Sequence, residues 1–345
     1  MMVKTSGEKI RKGFDWKDRR VLITGATGFV GTWLVKDLVE RGADVVALIR
    51  DDIPNSPIRW MGIYDQMFAA PRGDITDYRS VKRIFNEYEI DSCFHLAAQP
   101  IVGIAKIDPV NTFNVNIKGS WNILEAARTS ESLKRLVIAS TDKVYGESVK
   151  LPITEDHPLL AAYPYDASKA CMERLAHTYF TTYGLPVAIT RCCNIYGGGD
   201  LNFSRIIPGA IKSVIFDQNP VIRSDGTPVR DFIFVKDAAT AYIVLAGQMG
   251  KRGVDGEAFN FGSKAPINML DLVNKIIKVS GSTKLKPEVQ GTKKPDAEID
   301  KQFLSSEKAK RILGWSPKFN LESGLKETIE WFKDSKNLQQ YKNNI

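Results

Sequence analysis

Residues 20–31 have the sequence RVLITGATGFVG, in which an apolar strand runs directly into a glycine-rich turn. An amphipathic stretch, residues 32–41, follows the turn and predicts a helix. The glycines have the spacing Gly-x-x-Gly-x-x-Gly, at Gly25, Gly28 and Gly31. Glycine permits a tight turn and lets the backbone approach a pyrophosphate at the positive N-terminus of the helix. A strand, a glycine turn and a helix in this order predict a doubly wound α/β fold that binds a dinucleotide.

The strand predicted over residues 44–49 ends where such folds select their cofactor. An acidic residue there binds the ribose hydroxyls of NAD, whereas an arginine accommodates the 2′-phosphate of NADP. Ile49 occupies the position of the acidic residue, and Arg50, Asp51 and Asp52 follow it. Arg50 favours NADP, but the two aspartates would repel the additional phosphate. Both cofactors therefore stay open, with NAD slightly favoured.

A second stretch, residues 140–169, carries the reactive side chains. The apolar strand 135–139 leads into Ser-Thr-Asp-Lys at residues 140–143, and Tyr165 and Lys169 form a Tyr-x-x-x-Lys motif. On a helix, residues i and i+4 share a face, so the phenol and the ammonium would lie side by side. The ammonium would then lower the pKa of the tyrosine, which suits a base that removes a proton from an alcohol. Thr141 could donate a hydrogen bond to the same alcohol. Such a motif alone also occurs on ordinary surface helices, so its weight comes from the dinucleotide motif upstream.

Predicted strands and helices alternate up to about residue 191, which indicates a parallel sheet covered by helices on both faces. Beyond Asn194 the chain becomes rich in loops and its strands become short. We therefore predict an α/β Rossmann fold with a smaller, interleaved α/β substrate-binding lobe. The expected boundaries are 18–194 for the NAD(P)-binding domain, with return segments near 229–262, and 195–228 and 263–335 for the lobe.

The bulk composition is that of an ordinary globular protein. The 345 residues are 43% hydrophobic and 26% charged, and no apolar run approaches the ~18 residues that span a bilayer. The first residues are charged and lack the apolar segment of a signal peptide, so we expect a cytoplasmic location. The net charge of +8 could serve nucleic-acid binding, but no RNA-binding aromatic pattern or zinc-finger spacing accompanies it. We expect no nucleic-acid or membrane partner, no metal site, and four reduced, buried cysteines.

The glycine motif and the Tyr-x-x-x-Lys motif together resemble those of the extended short-chain dehydrogenase/reductase family, and the similarity extends from Val21 to Phe332. This resemblance implies that Thr141, Tyr165 and Lys169 oxidise an alcohol, with Tyr165 taking the proton and Lys169 binding the nicotinamide ribose. It gives Asn116 a structural role. Independently of the resemblance, His95 is expected to be a packed, hydrogen-bonded core residue of its strand. The residues that the resemblance implies for a tightly bound NAD(P) are Gly25, Thr27, Gly28, Phe29, Val30, Gly31, Arg50, Asp74, Ile75, Leu96, Ala97, Ala98, Tyr165 and Lys169.

Asp142 and Lys143 resemble the acid–base pair of one branch, the nucleotide-sugar 4,6-dehydratases. In that branch the residue at the position of Asp142 protonates the departing C6 hydroxyl, and the next residue takes the C5 proton. The hydride removed from C4 returns to C6, which leaves a 4-keto-6-deoxy sugar and a regenerated cofactor. Oxidation at C4 acidifies the C5 proton, so a modest base suffices. These roles require a protonated Asp142 and a neutral Lys143, and burial would favour both.

The resemblance also implies the substrate contacts and the favoured substrate. Asn194 and Arg230 match residues on the nucleotide diphosphate, Arg205 is a second candidate for it, and Gln99 is expected at the substrate. The sequence Thr-Asp-Lys resembles that of CDP-glucose 4,6-dehydratases and of some UDP-sugar dehydratases. The loop 197–200 and the neighbourhood of Gln99 are most similar to the CDP-glucose enzymes. The segment 229–232 is nearer the general family, so GDP-mannose comes next, and UDP- and TDP-sugars stay open.

Two other functions fit parts of the pattern. A nucleotide-sugar 4-epimerase needs Tyr165 and Lys169 but neither Asp142 nor Lys143. A non-catalytic NAD(P)-binding regulatory protein needs none of them, and such proteins often lose the tyrosine or lysine that this chain retains. A homodimer is expected, because the helices that carry Tyr165 and Asn116 pair in many dimers of the family.

Overall fold

The computed structural model describes residues 14–148, 150–291 and 299–334. The charged residues 1–13 and the expected end of the lobe at residue 335 lie outside the described residues. The central sheet has six strands, all parallel: β1 (Arg20–Thr24), β2 (Asp44–Leu48), β3 (Ser92–His95), β4 (Arg135–Thr141), β5 (Val187–Cys192) and β10 (Ala258–Phe261). Their order is β10-β5-β4-β3-β1-β2. The chain therefore changes direction across the sheet between β1 and β3, where such sheets bind their ligands.

Helices cover both faces of this sheet, and further helices build the lobe. The α-helices are α1 (Phe29–Glu40), α2 (Pro57–Trp60), α3 (Tyr78–Glu87), α4 (Val102–Ile107), α5 (Pro109–Phe113), α6 (Gly119–Arg128), α7 (Pro164–Tyr183), α8 (Ile206–Ile215), α9 (Val235–Gln248), α10 (Met269–Ser280) and α11 (Leu321–Lys333). Segments Asn114–Lys118 and Ala309–Leu313 are π-helical, and Tyr64–Gln66 and Asp142–Tyr145 are 3₁₀ turns.

Successive residues of a strand point to opposite faces of the sheet, and on each face they pack into a separate hydrophobic cluster with the helices that cover it. In β1, Val21 and Ile23 pack into the cluster that includes α1 and α9, whereas Leu22 packs into the cluster formed with α3, α6 and α7. Burying both faces in this way stabilises a parallel sheet, since neither face can remain in water. The predicted doubly wound α/β fold is confirmed.

The lobe is built from short strands around a third hydrophobic cluster. Its strands are β6 (Asn194–Tyr196), β7 (Val221–Ile222), β8 (Val229–Arg230), β9 (Phe232–Phe234), β11 (Ile267–Asn268), β12 (Glu288–Val289) and β13 (Lys301–Gln302). They pair as β6 with β9, as β7 with β12, and as the sheet β11-β8-β13. Residues of α8, α10 and α11 pack together beneath them. Polar groups carried by these short strands lie above the carboxyl ends of the central sheet.

The structure differs from the predicted elements at two points. Asn116, expected on a continuous helix, lies in the π-helical turn between α5 and α6. The first helix begins at Phe29 instead of residue 32, so the last glycine of the motif lies inside α1. Strands β8 and β9 are separated by Asp231, whose buried carboxylate accepts hydrogen bonds from the backbone and hydroxyl of Ser263.

Two further sequence predictions concern membranes and sulfur chemistry. Among the described residues, no helix is long and apolar enough to cross a membrane, and no group of three or more potential ligands could hold a metal ion. All four cysteines are free. Cys93, Cys192 and Cys193 are buried as expected, but the prediction was wrong for Cys171, which is exposed because it lies on the solvent side of α7.

Candidate active site

The first cleft lies at the carboxyl ends of β1 and β3, between the glycine turn and the loop that follows β3. It has a volume of about 340 Å³. Twelve of the fourteen residues predicted at the cofactor line this cleft: Gly25, Thr27, Gly28, Phe29, Val30, Gly31, Arg50, Asp74, Ile75, Leu96, Ala97 and Ala98. The other two, Tyr165 and Lys169, lie on α7 and do not contribute to its lining.

The glycine turn fits a dinucleotide pyrophosphate. Gly25 has a φ of +74°, and a Cβ there would stand 2.8 Å from the backbone nitrogen of Ala97. A Cβ on Gly31 would stand 2.1 Å from the carbonyl oxygen of Gly25. Gly28, at the N-cap of α1, offers no side chain to the first turn, and that turn contains no acidic residue. The amides at the start of α1 can therefore bind an anionic group that approaches closely.

Paired charges lie at the end of the same cleft, beside β2. The Arg50 guanidinium donates to the Asp51 carboxylate at 2.7 Å. Arg59 and Arg72 both donate to Asp52, at 2.7 and 3.1 Å, and the hydrogen bond from Arg59 is the main reason that the pKa of Asp52 is lowered. Of the two aspartates expected to repel the 2′-phosphate of NADP, Asp51 lines the cleft and Asp52 does not.

A second, larger cleft of about 500 Å³ adjoins the first. The two share Phe29, Val30, Pro100 and Arg205 as lining residues. Seven residues predicted for catalysis or substrate binding line the second cleft together: Thr141, Asp142, Lys143, Tyr165, Asn194, Arg205 and Arg230. The structure thus brings the predicted catalytic pair, the tyrosine and the predicted diphosphate-binding residues to one side of the dinucleotide cleft.

Thr141 to Lys143 form a tight turn at the carboxyl end of β4. The Thr141 hydroxyl accepts a hydrogen bond from the backbone N–H of Lys143 at 3.3 Å and donates to Asp142 Oδ1 at 3.1 Å. Lys143 Nζ lies 3.9 Å from the same Oδ1. The Asp142 side chain is 3% exposed and that of Lys143 is 29% exposed, so the burial expected for both residues holds fully only for Asp142. Asp142 Oδ2 is buried and accepts no hydrogen bond from the described residues.

Tyr165 and Lys169 share a face of α7, but the expected effect on the tyrosine is absent in the protein alone. Burial raises the pKa of Tyr165, and the carboxylates of Asp142 and Asp166 raise it further, against smaller lowering effects of Arg205 and Thr141. Lys169 is buried and donates to the carbonyl oxygen of Ala139 at 2.8 Å, and burial lowers its pKa to about 8. The prediction that Lys169 by itself lowers the pKa of Tyr165 was therefore wrong, since burial and the two carboxylates dominate.

Two residues of this region were missed in the sequence. Asp166 follows Tyr165 and is 6% exposed; burial raises its pKa to about 6, Lys143 opposes the rise and Asp142 adds to it. Gln302, on β13, donates to the backbone oxygen of Asp142 at 3.0 Å. The first could have been suspected from its position beside the tyrosine, whereas the second comes from a distant part of the chain and leaves no local signal.

The arginines predicted at a diphosphate are anchored by the lobe. Arg205 donates to the buried Asp200 at 3.1 Å, and burial raises the pKa of Asp200 while Arg205 lowers it. Arg230 donates to the backbone oxygens of Val229 and Asp300, at 2.9 and 3.3 Å. A guanidinium carries five N–H donors, and the contact with Asp200 engages the Nη1 group of Arg205.

Gln99, predicted at the substrate, is not among the residues that line the second cleft. Its side chain forms hydrogen bonds with the backbone of Ile101 and with the Thr112 hydroxyl on α5. Asn116 holds the Gln99 backbone through two hydrogen bonds, at 2.7 and 3.1 Å, and reaches Ser168 on α7 at 2.9 Å. The structural position expected of Asn116 is confirmed.

His95 is a core residue, as predicted. Its two ring nitrogens lie 2.8 Å from the hydroxyls of Thr24 and Ser120. Burial and the nearby Lys169 ammonium lower its pKa to about 3. Because both ring nitrogens are engaged in hydrogen bonds, this histidine offers a substrate neither a free N–H nor a free lone pair.

A buried ionic network fixes the reactive turn against α7. Arg191 on β5 donates to both carboxylate oxygens of Glu173 on α7, and to the Tyr145 hydroxyl at 2.7 Å. The Tyr145 hydroxyl in turn donates to Asn260 on β10 at 2.7 Å. Because Tyr145 ends the turn that carries Asp142 and Lys143, this network holds the turn and the tyrosine helix in one arrangement.

Comparison with known proteins agrees with this geometry. The sequence matches the family model described as GDP-mannose 4,6 dehydratase over residues 22–328. It is 29% identical to the dTDP-D-glucose 4,6-dehydratase of Bos taurus, over 94% of this chain and 91% of that protein. It is also 29% identical to the CDP-glucose 4,6-dehydratase of Salmonella typhimurium, over 94% and 93%, and 32% identical to the UDP-glucose 4-epimerase of Lacticaseibacillus casei, over 87% and 92%.

Solved structures show the same fold. The UDP-glucose 4-epimerase of Thermotoga maritima, with UDP-glucose, superimposes with a TM-score of 0.82 at 28% identity, covering 92% of this chain and 99% of that one. The dTDP-glucose 4,6-dehydratase of Streptomyces venezuelae, with NAD bound, gives a TM-score of 0.80 at 26% identity, covering 92% and 98%.

The sheet order, the glycine turn and the tyrosine–lysine helix define an NAD(P)-dependent enzyme of the extended short-chain dehydrogenase/reductase type. Within that class, the chain belongs to the GDP-mannose 4,6-dehydratase family. The nucleotide-sugar 4,6-dehydratase family predicted from the sequence is thereby confirmed.

Proposed function

We propose that the protein removes water from a nucleotide-diphosphate hexose to give a 4-keto-6-deoxy sugar, with CDP-glucose as the favoured substrate. The observation that carries this proposal is the position of Asp142 and Lys143, which line the same cleft as Tyr165, beside the dinucleotide cleft. We assign NAD(P) to the domain at residues 18–194 with its return segments near 229–262, in which α9 and β10 belong to the central sheet and its cover while β8 and β9 contribute to the lobe. The nucleotide sugar is assigned to the lobe at residues 195–228 and 263–335.

In this proposal each reactive side chain handles one proton at a stated atom. The Tyr165 oxygen takes the proton of the C4 hydroxyl, while Thr141 and Lys169 hold the reacting groups in place. When bound, NAD(P) supplies the acceptor for the C4 hydride and its donor to C6. Lys143 Nζ takes the C5 proton, which the C4 ketone has made acidic, and the Asp142 carboxyl protonates the departing C6 hydroxyl. The unpaired Asp142 Oδ2 would gain that hydroxyl as its hydrogen-bond partner.

The raised pKa of Tyr165 in the protein alone has a consequence for this reaction. A phenol of raised pKa is a poor base at neutral pH, so the positive nicotinamide ring and the Lys169 ammonium must together favour the phenolate. We therefore expect the acidity of Tyr165 to depend on the bound oxidised cofactor.

CDP-glucose is favoured over other nucleotide sugars by three segments that resemble CDP-glucose 4,6-dehydratases. These are Thr141-Asp142-Lys143, the loop 197–200 and the neighbourhood of Gln99. The match to the Salmonella enzyme, at 29% identity, adds support. GDP-mannose is the next candidate, as the name of the matching family suggests.

A 4-epimerase is the second candidate, because an epimerase is among the relatives at 32% identity. Epimerisation would use Tyr165 and Lys169, and Asp142 and Lys143 would then have no catalytic role. The two activities differ in the mass of the product, since only dehydration removes a water.

We also propose NAD as the preferred cofactor, a homodimeric assembly and a cytoplasmic location. NAD is favoured because Arg50 is already paired with Asp51, which lines the ribose end of the cleft, and because related dehydratases contain NAD. Trp121 on α6 and Tyr183 on α7 are large exposed side chains on the two helices expected to pair. The four free cysteines suit a reducing compartment. Light scattering of the purified protein would test the dimer.

The deciding experiment offers CDP-glucose, GDP-mannose, UDP-glucose and TDP-glucose separately and follows the product by mass spectrometry. We expect loss of one water with CDP-glucose. Loss of water only with another of the four would replace the favoured substrate and keep the reaction. An isomer of unchanged mass would favour the epimerase, and a Tyr165→Phe variant serves as the inactive control.

A further inference from the structure

We propose that the Arg205 guanidinium is shared by the cofactor pyrophosphate and the diphosphate of the nucleotide sugar, so that each ligand tightens the binding of the other. This inference rests on the proposed function, which assigns the two ligands to the two adjoining clefts. It adds a linkage between them, because the sequence resemblance places Arg205 at the substrate diphosphate alone.

Arg205 lies where the two clefts meet. Four residues line both clefts, namely Phe29, Val30, Pro100 and Arg205, and Arg205 is the charged residue among them. Arg230, the other arginine predicted at the diphosphate, lines the second cleft but not the first. A cation at the junction can therefore attract an anionic ligand in either cleft.

The dinucleotide cleft offers a pyrophosphate little other full positive charge. The cationic residues of its lining are Arg50 and Arg205. Arg50 lies at the end beside β2 and donates to the Asp51 carboxylate at 2.7 Å. The first two residues of α1 line both clefts together with Arg205, and the amides at a helix N-terminus carry only partial charges. Arg205 is therefore the full positive charge at the end of the cleft where α1 would hold the pyrophosphate.

A buried carboxylate anchors Arg205 on one side. The Nη1 group of Arg205 donates to Asp200 Oδ2 at 3.1 Å. The Asp200 side chain is 4% exposed, whereas that of Arg205 is 43% exposed. A guanidinium also carries donors on Nε and Nη2, in a rigid planar fork. Such a group can keep its anchor while it binds phosphate oxygens of two ligands.

The loop that carries Asp200 is itself held against the cofactor domain. Trp33 on α1 donates from Nε1 to the carbonyl oxygen of Gly198 at 2.7 Å. The next residue, Gly199, lies against the start of α2, since a Cβ there would stand 3.3 Å from Pro57 Cβ. Because α1 also begins at the glycine turn, these contacts fix the anchored arginine relative to the pyrophosphate site.

The sign of the linkage follows from the charges. Two anionic ligands in adjoining clefts repel each other, and a cation shared between them turns this repulsion into a net attraction. Arg205 also lowers the pKa of Tyr165, against the larger effect of burial, so its charge already acts within the second cleft. Linkage is reciprocal, so a nucleoside diphosphate should hold the cofactor as strongly as the cofactor holds the nucleotide.

The test measures how fast isotope-labelled cofactor leaves the loaded protein, with and without a saturating nucleoside diphosphate. The cofactor is NAD or NADP, whichever the purified protein holds, and calorimetry first selects the nucleotide from CDP, GDP, UDP and TDP. We expect the nucleotide to slow cofactor release by about tenfold in the unaltered protein. Arg205→Met should lose this slowing, and Arg205→Lys, which keeps the charge without the planar fork, should keep part of it.

The matched control is Arg230→Gln, which changes an arginine of the second cleft alone. It should weaken nucleotide binding, yet at saturation the nucleotide should still slow cofactor release. Arg205→Met leaves the buried Asp200 carboxylate without its partner, so the double variant Arg205→Met with Asp200→Asn is measured beside it. If the single variant fails to hold cofactor, the double variant decides.

Slowing that persists without Arg205 would overturn the linkage, because the nucleotide would then only cover the cofactor. The linkage also fails if a nucleotide that binds the unaltered protein leaves cofactor release unchanged, and the dehydratase function would stand in both cases. If none of the four nucleotides binds, the nucleotide-sugar function itself fails, and the linkage fails with it.

Discussion

Replacing Asp166 by asparagine should stabilise the protein at neutral pH, although the substitution lies next to the proposed base. The Asp166 carboxyl is 6% exposed, and its Oδ1 is buried without a hydrogen-bond partner among the described residues. Burial raises its pKa from 3.8 to about 6. The folded state therefore binds this proton more tightly than the unfolded state, so stability falls as the pH rises from about 4 through 6.

The size of the effect follows from that shift. Two pKa units correspond to about 3 kcal/mol of penalty above pH 6, and linkage reduces this to about 1 kcal/mol at pH 4.5. Asparagine removes the penalty, but it also removes a negative charge from the first turn of α7, which costs about 0.3–1 kcal/mol. The net gain should be about 2 kcal/mol at pH 8 and close to zero at pH 4.5.

Thermal unfolding at both pH values measures this difference. The matched control is Asp271→Asn, since Asp271 is an exposed aspartate in the first turn of α10. We expect the melting temperature of Asp166→Asn to rise by a few degrees at pH 8, while that of the control stays level or falls slightly. If the melting temperature of Asp166→Asn instead falls at pH 8, by as much as that of the control, the reasoning is refuted. The ionised Asp166 carboxylate would then stabilise the fold through its interaction with Lys143.

Three further substitutions probe the acid, the cofactor and the frame of the site. Asp142→Asn should lower the rate of water loss by about 10²–10⁴-fold. Reduced cofactor should still form when substrate is added, and absorbance would show it. An unchanged rate of water loss would exclude Asp142 as the acid. Asp51→Asn should release Arg50 from its ion pair and tighten NADP binding by roughly tenfold relative to NAD binding, as measured by calorimetry. An unchanged ratio of the two affinities would mean that the Arg50–Asp51 pair does not disfavour NADP. Glu173→Gln leaves the buried Arg191 without its carboxylate, so denaturant unfolding should show a loss of about 3–5 kcal/mol, and a loss below 1 kcal/mol would mean that the pair contributes little.

The dinucleotide cleft was predicted from the sequence because its residues lie close together in the chain or at the ends of neighbouring strands. A glycine turn between a strand and a helix has one common geometry, and residues 96–98 follow the adjacent strand. Twelve of the fourteen residues predicted at the cofactor line this cleft. The sequence Thr141-Asp142-Lys143 likewise lies at the end of β4, where a parallel sheet presents its reactive groups.

The sequence failed where the environment of a side chain depends on distant segments. Gln302 supports the Asp142 backbone from β13, a contact that no spacing predicts. The pKa of Tyr165 was misjudged because helical spacing shows the nearby lysine but not the burial or the two carboxylates that surround the phenol. Gln99 was assigned by resemblance, but hydrogen bonds to Ile101 and Thr112 occupy its amide.

Tracing deuterium from C4 of CDP-glucose tests the central claim most directly. The substrate is incubated with the unaltered protein and no added cofactor, and the product is analysed by mass spectrometry and NMR. The account predicts a product lighter by one water that carries the deuterium on C6, because the hydride removed from C4 is returned within the same site. A product of unchanged mass with the deuterium still on C4 would contradict it and identify an epimerase.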